Sequence, residues 1–462
     1  MKHLTILTVF VLSSAAAAQE PWATYRGNPQ RTGCTDDQPG PTKPRIVWSL
    51  KSKDHYVASP VPAGNRLIVS GLGAFNLPTF ACLDTDPKAA ARVVWSKSTP
   101  SLKLPTVSSP AVVAGQLIFG DGMHQTDGAI LYCVDLETGF PIWQYPVPGH
   151  LVHLEGSPTV AGGKVYIGGG AAGVLCVDPE KLTYEGKPID LPSVKKQQQA
   201  RWKEMQAKYE QEKKVNPDFA VPPSEEQLPK AMPTLVWQQG KTKWHVDAPV
   251  AVLGDKVFVA SAFLDKEQVG DRALFCLDAG TGNIVWRASL KLNPWGGPSI
   301  FGDTVVVAGS SIGYDPAKLK GAKGFVAAIN KKDGSEIWSK DVTGGILSCA
   351  ALANGVAVVA ATDGKARAFA LTDGERRWIY DAKMPLFAPP AIAKDRVYLG
   401  DLKGMVHAVD LGTGVAGWTF DVNAPGMVYG GPVVHAGRVY LATCNLEGPF
   451  ARQETVVVAI GE

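Results

Sequence analysis

Four histidines and two carboxylates occupy the places where this chain could do chemistry. His55, His150, His153 and His245 fall in the short stretches that lead into a recurring apolar strand, and Glu155, Trp244 and Asp247 stand beside them. These stretches hold more of the chain's histidines than an even spread would place there. Neutral imidazole is a common ligand of divalent transition metals, and imidazole beside carboxylate can also hold a polar ligand. If the stretches converge, these seven residues form a candidate ligand site whose metal, if any, is unspecified. Solvated or loop-bonded histidines are the plainer alternative. The chain has no H-E-x-x-H and no P-loop, and no catalytic residue is assigned.

What must position them is a repeat. Trp48, Trp95, Trp143, Trp237, Trp286, Trp338, Trp378 and Trp418 recur at spacings of 47, 48, 94, 49, 52, 40 and 40 residues. Most follow a short apolar run, an acidic or amide residue, and a Thr-Gly or Asp-Gly turn. Leu131 to Trp143 and Leu274 to Trp286 match position for position. A period of forty to fifty residues with strands and tight turns inside it implies a radial array of small sheets. Each unit reads as four strands. Strand A follows Ser-Pro or a variant, as at Ser59-Pro60, Ser109-Pro110 and Ser157-Pro158. Proline is tolerated there because a first strand residue need not donate to the ladder. In the sixth unit Ile346–Leu352 takes this role without a proline.

The phase leaves Trp48 without a strand C before it, and the last strand C, Thr455 to Ile460, without a tryptophan strand after it. The two halves should make one blade, with Ile46–Leu50 as the outer strand beside residues 431–460. Pairing both termini in one sheet removes the exposed edge of an open array. The expected fold is therefore all-β, an eight-bladed β-propeller of four-stranded antiparallel blades over residues 46–462. The tryptophans should fill the wedges between blades and donate their N–H groups to neighbouring carbonyls. The repeated Asp84, Asp135, Asp178, Asp278 and Asp410 should accept N–H bonds within their own turns.

Residues 1–18 resemble an export signal: Lys2 and His3 precede an apolar run, and small residues at Ala16 and Ala18 suit cleavage before Gln19. No cysteine follows that point to carry a lipid, and no later stretch approaches a membrane span. The expectation is a protein exported to the periplasm or beyond, without a lipoprotein anchor and monomeric, with residues 19–45 as an N-terminal extension. The formal charge of +3 arises from 46 basic and 43 acidic residues, and no basic block marks a nucleic-acid surface. Export permits disulfides. Yet Cys82, Cys133, Cys176 and Cys276 share one strand position that Ala328, Ala368, Ala408 and Ala459 hold in later units. Cysteine there stands in for alanine. A pair among Cys34, Cys349 and Cys444 stays open. An insertion at about 181–233 breaks the period. Within it Ser193 could cap a helix to about Lys214, with Trp202, Met205 and Tyr209 on one face. That stripe should strap the helix to its own blade, or else present a partner-docking arm.

The unit small-x-Asp-x-x-Thr-Gly-x-x-x-Trp, fullest at Cys133–Trp143 and Cys276–Trp286, resembles the tryptophan-docking motif of pyrroloquinoline-quinone-type repeats. Trp22, Arg26-Gly27 and Arg31-Thr32-Gly33 resemble the start of many such proteins. The resemblance implies either of two activities. Quinoprotein dehydrogenases hold the quinone and Ca²⁺ in the central funnel, whereas proteins similar to the outer-membrane assembly factor BamB are scaffolds without a cofactor. This chain lacks the adjacent Cys-Cys pair of many such dehydrogenases, a C-x-x-C-H haem motif and an acidic Ca²⁺ loop. The favoured expectation is a non-catalytic protein-binding module of the cell envelope with an envelope partner and no cofactor. A quinone- and Ca²⁺-dependent oxidoreductase and a small-ligand or glycan binder are the alternatives.

Overall fold

A computed structural model describes residues 22–35, 38–124, 126–423, 426–446, 450–451 and 453–462. The expected export signal lies outside these residues. Eight antiparallel sheets carry the chain, each with a three-residue strand A innermost and strand D outermost. The seventh blade, for example, runs Ala391–Ala393, Arg396–Gly400, Met405–Asp410 and Ala416–Asp421. Strands B and C are buried almost throughout, because each sheet is covered by a neighbour on both faces. In the sixth blade strand A is Ala351–Ala353, shorter than the expected 346–352. Only these three residues face strand B, while Ile346 bonds instead to the carbonyl of Gly309.

The eighth blade takes Val433–His435, Arg438–Ala442 and Thr455–Gly461 from one end of the chain. Its outer strand is Arg45–Ser52, antiparallel to Thr455–Gly461 with Trp48 opposite Ala459. This is the pairing expected of a ring joined through both ends of the chain.

Every repeated tryptophan lies directly across from the small residue of its strand C: Cys82, Cys133, Cys176, Cys276, Ala328, Ala368, Ala408 or Ala459. A larger side chain there would displace the indole. All seven cysteines are thiols, and burial pushes Cys82, Cys176 and Cys276 up to about 12, so they act as packing groups. Seven of the eight indoles donate across the seam at 2.7–3.2 Å to a carbonyl of the next blade or, for Trp418, of Pro41. The turn glycine of the next blade lies flat on the ring. Gly139, Gly282, Gly334, Gly374 and Gly414 hold φ of +69° to +75°, and a Cβ on any of them would come within 2.6–2.9 Å of the indole. The Thr-Gly signature thus serves both the turn and the seam. The preceding aspartate accepts the turn's N–H groups, as Asp135 and Asp278 do from Thr138 and Thr281. Burying one indole contributes roughly 4–6 kcal/mol gross, from its area and the usual apolar coefficient.

Trp143 is the exception. Its N–H has no partner, because the third blade leaves the repeat at the turn that would supply the acceptor. The insertion holds a helix, Leu191–Val215, capped by Asp190, whose side chain accepts from the Ser193 N–H. The cap lies three residues before the expected Ser193, since Pro192 is tolerated in a first turn where N–H groups lack partners anyway. Val194, Gln198 and Met205 are buried, and Trp202 packs on Phe140 at 4.9 Å. Gln198 donates to the carbonyls of Pro141 and Pro229, and Lys195 reaches Asp135 at 2.7 Å. Phe140, Pro141 and Asp135 belong to the second blade, so the helix straps the neighbouring blade as well as packing on its own insertion. In the returning chain the Ala231 N–H donates to the Ile142 carbonyl, and the Ala231 carbonyl accepts from the Gln144 N–H. The stripe was readable in sequence, but its target depended on which way the chain left the turn.

The N-terminal extension is part of the architecture. Residues 23–33 pass the inner strands in order, accepting N–H bonds from Val112 to Ala23, Val252 to Pro29, Ile300 to Gln30, Leu352 to Thr32 and Ile392 to Gly33. Thr24 donates to Pro158, and Cys34–Thr35 pairs in parallel with Ile392 and Ala393. Inner strands would otherwise leave unpaired N–H groups facing the channel. Arg31, fully buried, donates to the carbonyls of Tyr25, Ser157 and Val250 and to the hydroxyls of Thr24 and Thr159. Burial lowers its basicity to about 10, still cationic at neutral pH. This segment is a hub that ties blades two to seven.

Candidate functional site: a histidine cluster in the channel wall

The centre of the ring holds a cavity of about 520 Å³. Tyr25 of the hub, Trp295, Tyr314 and Tyr429 form part of its wall, and His124, Glu155 and Asp247 are the imidazole and carboxylates of its described lining. Successive strands reverse direction, so the segment before strand A and the B–C loop open at the same end of every blade. The C–D turns, which hold the tryptophan seams, lie at the other end. Chemistry and blade locking are therefore separated.

His153 and Glu155 precede strand A of the third blade, Thr159–Ala161. The backbone of Leu154 between them is fixed by its N–H bond to Asp121. His245 and Asp247 precede strand A of the fourth blade, Ala251–Leu253. His245 receives the Ala262 N–H and donates its own to Ser261 Oγ, and Val246 bridges to Gly170. His124 comes from the B–C loop of the second blade, where its backbone N–H donates to Glu155 Oε1. Three blades thus contribute to one cluster. His124, His153, His245 and Asp247 can each place a ligand atom within 4.8 Å of the others. His245 Nε2 is 3.0 Å from Asp247 Oδ2, His153 Nε2 is 3.5 Å from Asp247 Oδ1, and His153 Nδ1 is 3.3 Å from Glu155. His153 and His245 are fully buried, yet neither His153 nitrogen nor His245 Nδ1 makes an aligned hydrogen bond.

Burial works against charge on His153, but Asp247 and then Glu155 outweigh it and take the imidazole to about 9. Burial likewise disfavours the Asp247 carboxylate, and His153, His245 and His124 hold it below its usual range. The cluster holds opposite charges at close quarters.

Of the residues singled out in sequence, His153, Glu155, His245 and Asp247 are brought together. His55 is not: its backbone pairs with Leu72 and its Nδ1 accepts from the Asn445 N–H. His150 is exposed, 2.8 Å from Asp127. Trp244 stacks on Phe275 at 4.0 Å in the core between the third and fourth blades. Sequence reasoning missed His124, because only the stretches before strand A were considered. Strand reversal places B–C loops at the same mouth, and that rule would have included it.

The fold and its seams define a tryptophan-docked, eight-bladed propeller with a polar cluster in its channel. A family model described as outer membrane protein assembly factor BamB matches residues 41–182, 233–318 and 270–447, and the chain belongs to this family. It is 31% identical over 192 residues to the BamB of Burkholderia pseudomallei, covering 40% of this chain and 45% of that protein. Against the BamB of Nitrosomonas eutropha it is 31% identical over 160 residues, 34% of this chain and 36% of that one. The matched stretches span less than half the length of either relative. Among solved structures, BamB from Moraxella catarrhalis superposes with a TM-score of 0.58 at 13% identity, over 91% of this chain and 100% of that one. The quinohemoprotein alcohol dehydrogenase of Comamonas testosteroni gives 0.64 at 13% identity, over 97% and 82%. At such identities the superpositions speak for the fold alone.

Proposed function

We propose that the chain is an exported, non-catalytic scaffold of the cell envelope that binds an envelope protein and serves in outer-membrane assembly. The observation that carries this reading is the family match, which runs through most of the propeller. Export would follow from the signal-like stretch at residues 1–18.

The residues around the cavity do not suit pyrroloquinoline quinone. The quinone is a tricarboxylate, and the described lining offers Glu155 and Asp247 with no lysine or arginine. Like charges this close oppose binding. No helix among the described residues is long and apolar enough to cross a bilayer.

Two measurements test it. A photo-crosslinking residue at Phe75, fully exposed on a B–C loop, or at Phe219 in the insertion should capture an envelope protein in living cells. Titration of the purified protein with the quinone and Ca²⁺ should leave absorbance and melting temperature unchanged. Tight quinone binding with alcohol- or sugar-dependent dye reduction would overturn the proposal.

A further inference from the structure

We propose that His124, His153, His245 and Asp247 form a binding site for one divalent transition-metal ion, of the Zn²⁺ type, in the channel wall. This goes beyond the scaffold reading and does not depend on it. Three imidazoles and one carboxylate make a donor set suited to first-row divalent ions. Bonds of about 2.0–2.1 Å in a tetrahedral site put ligand atoms roughly 3.3–3.4 Å apart. The separations of 3.0 Å for His245–Asp247 and 3.5 Å for His153–Asp247 bracket that value. His124, on an exposed loop, completes the set by a small inward movement.

The second observation is the unused bonding capacity. A fully buried histidine with two nitrogens lacking aligned hydrogen bonds is costly to leave so, and here its Nε2 faces the carboxylate of Asp247. Its Nδ1 faces Glu155, the carboxylate–histidine–metal arrangement that fixes ring orientation in metal sites. Glu155 also receives the His124 N–H, so one carboxylate orients two of the ligands. The ion would join loops of the second, third and fourth blades at the cavity mouth.

The test uses the full chain, stripped with a chelator and titrated with Co²⁺ and Zn²⁺. Wild type should bind one equivalent, show the visible absorption of nitrogen- and oxygen-ligated Co²⁺, and gain melting temperature with Zn²⁺. His153→Ala and Asp247→Asn should lose the Co²⁺ spectrum. His124→Ala should weaken binding without altering the metal-free melting curve, because that residue is exposed. Glu155→Gln should weaken affinity about 10–100-fold, and His150→Ala should bind as wild type does. Absence of Co²⁺ absorption in wild type would overturn the site, as would His124→Ala and His245→Ala variants that bind as tightly as wild type. Either result leaves the scaffold proposal standing, since crosslinking reads that independently.

Discussion

The seam between the sixth and seventh blades and the seam between the second and third start from the same parts and finish differently. At the first, Trp378 lies under Gly414 and donates to Leu411. At the other, Trp143 is fully buried but donates to nothing, and a helix and a returning strand cover it. Comparing them separates what the indole supplies as bulk from what it supplies as a donor. Bulk is kept at both seams. The polar bond is given up where added chain excludes water by other means.

The largest effect should come from removing the bulk. Trp378→Ala and Trp143→Ala should each cost about 3–5 kcal/mol in denaturant unfolding. A Trp143→Ala loss well below that would mean the insertion, and not the indole, holds its seam. Next, Gly414→Ala forces a Cβ against Trp378 at φ +73° and should cost roughly 2–3 kcal/mol, from left-handed strain plus overpacking. Gly302→Ala, with φ +60° and open space around it, carries the strain alone and should cost about 1–2 kcal/mol. Equal values would remove the seam role of the turn glycine. Trp→Phe then isolates the donor: Trp378→Phe should cost about 1–2 kcal/mol more than Trp143→Phe, because only the former orphans a carbonyl. The smallest effect belongs to the strap's half-exposed ion pair. Lys195→Ala should cost no more than ~0.5 kcal/mol, and a larger loss would show that the helix depends on its charge contact with Asp135.

Features repeated in every blade were legible in the residues, because a period exposes the same constraint many times. The eightfold tryptophan repeat, the shared Cys-or-Ala strand position, the aspartate-held turns, and Ile46–Leu50 as the outer strand of the last blade are of this kind. What occurs once was harder to read. The stripe of Trp202, Met205 and Tyr209 told which helix face is covered but not that the second blade covers it. Trp244 resembled a site residue by position, and packing against Phe275 claimed it for the core. The cluster was half legible: His153, Glu155, His245 and Asp247 share a sequence context, while His124 joins them only through strand reversal.

The hub has a kinetic consequence. Arg26 bonds to a carbonyl 324 residues away, and Trp418 closes on Pro41 across 377 residues. None of these contacts can form until the distant blades exist, and loop closure over such spans must be met before they return any stabilisation. Seven blades pair strands that follow one another in sequence, whereas the eighth blade and the hub contacts wait on the C-terminal half of the chain. The segment that precedes the propeller in sequence can thus make its full set of contacts only once the arc of sheets it crosses is in place.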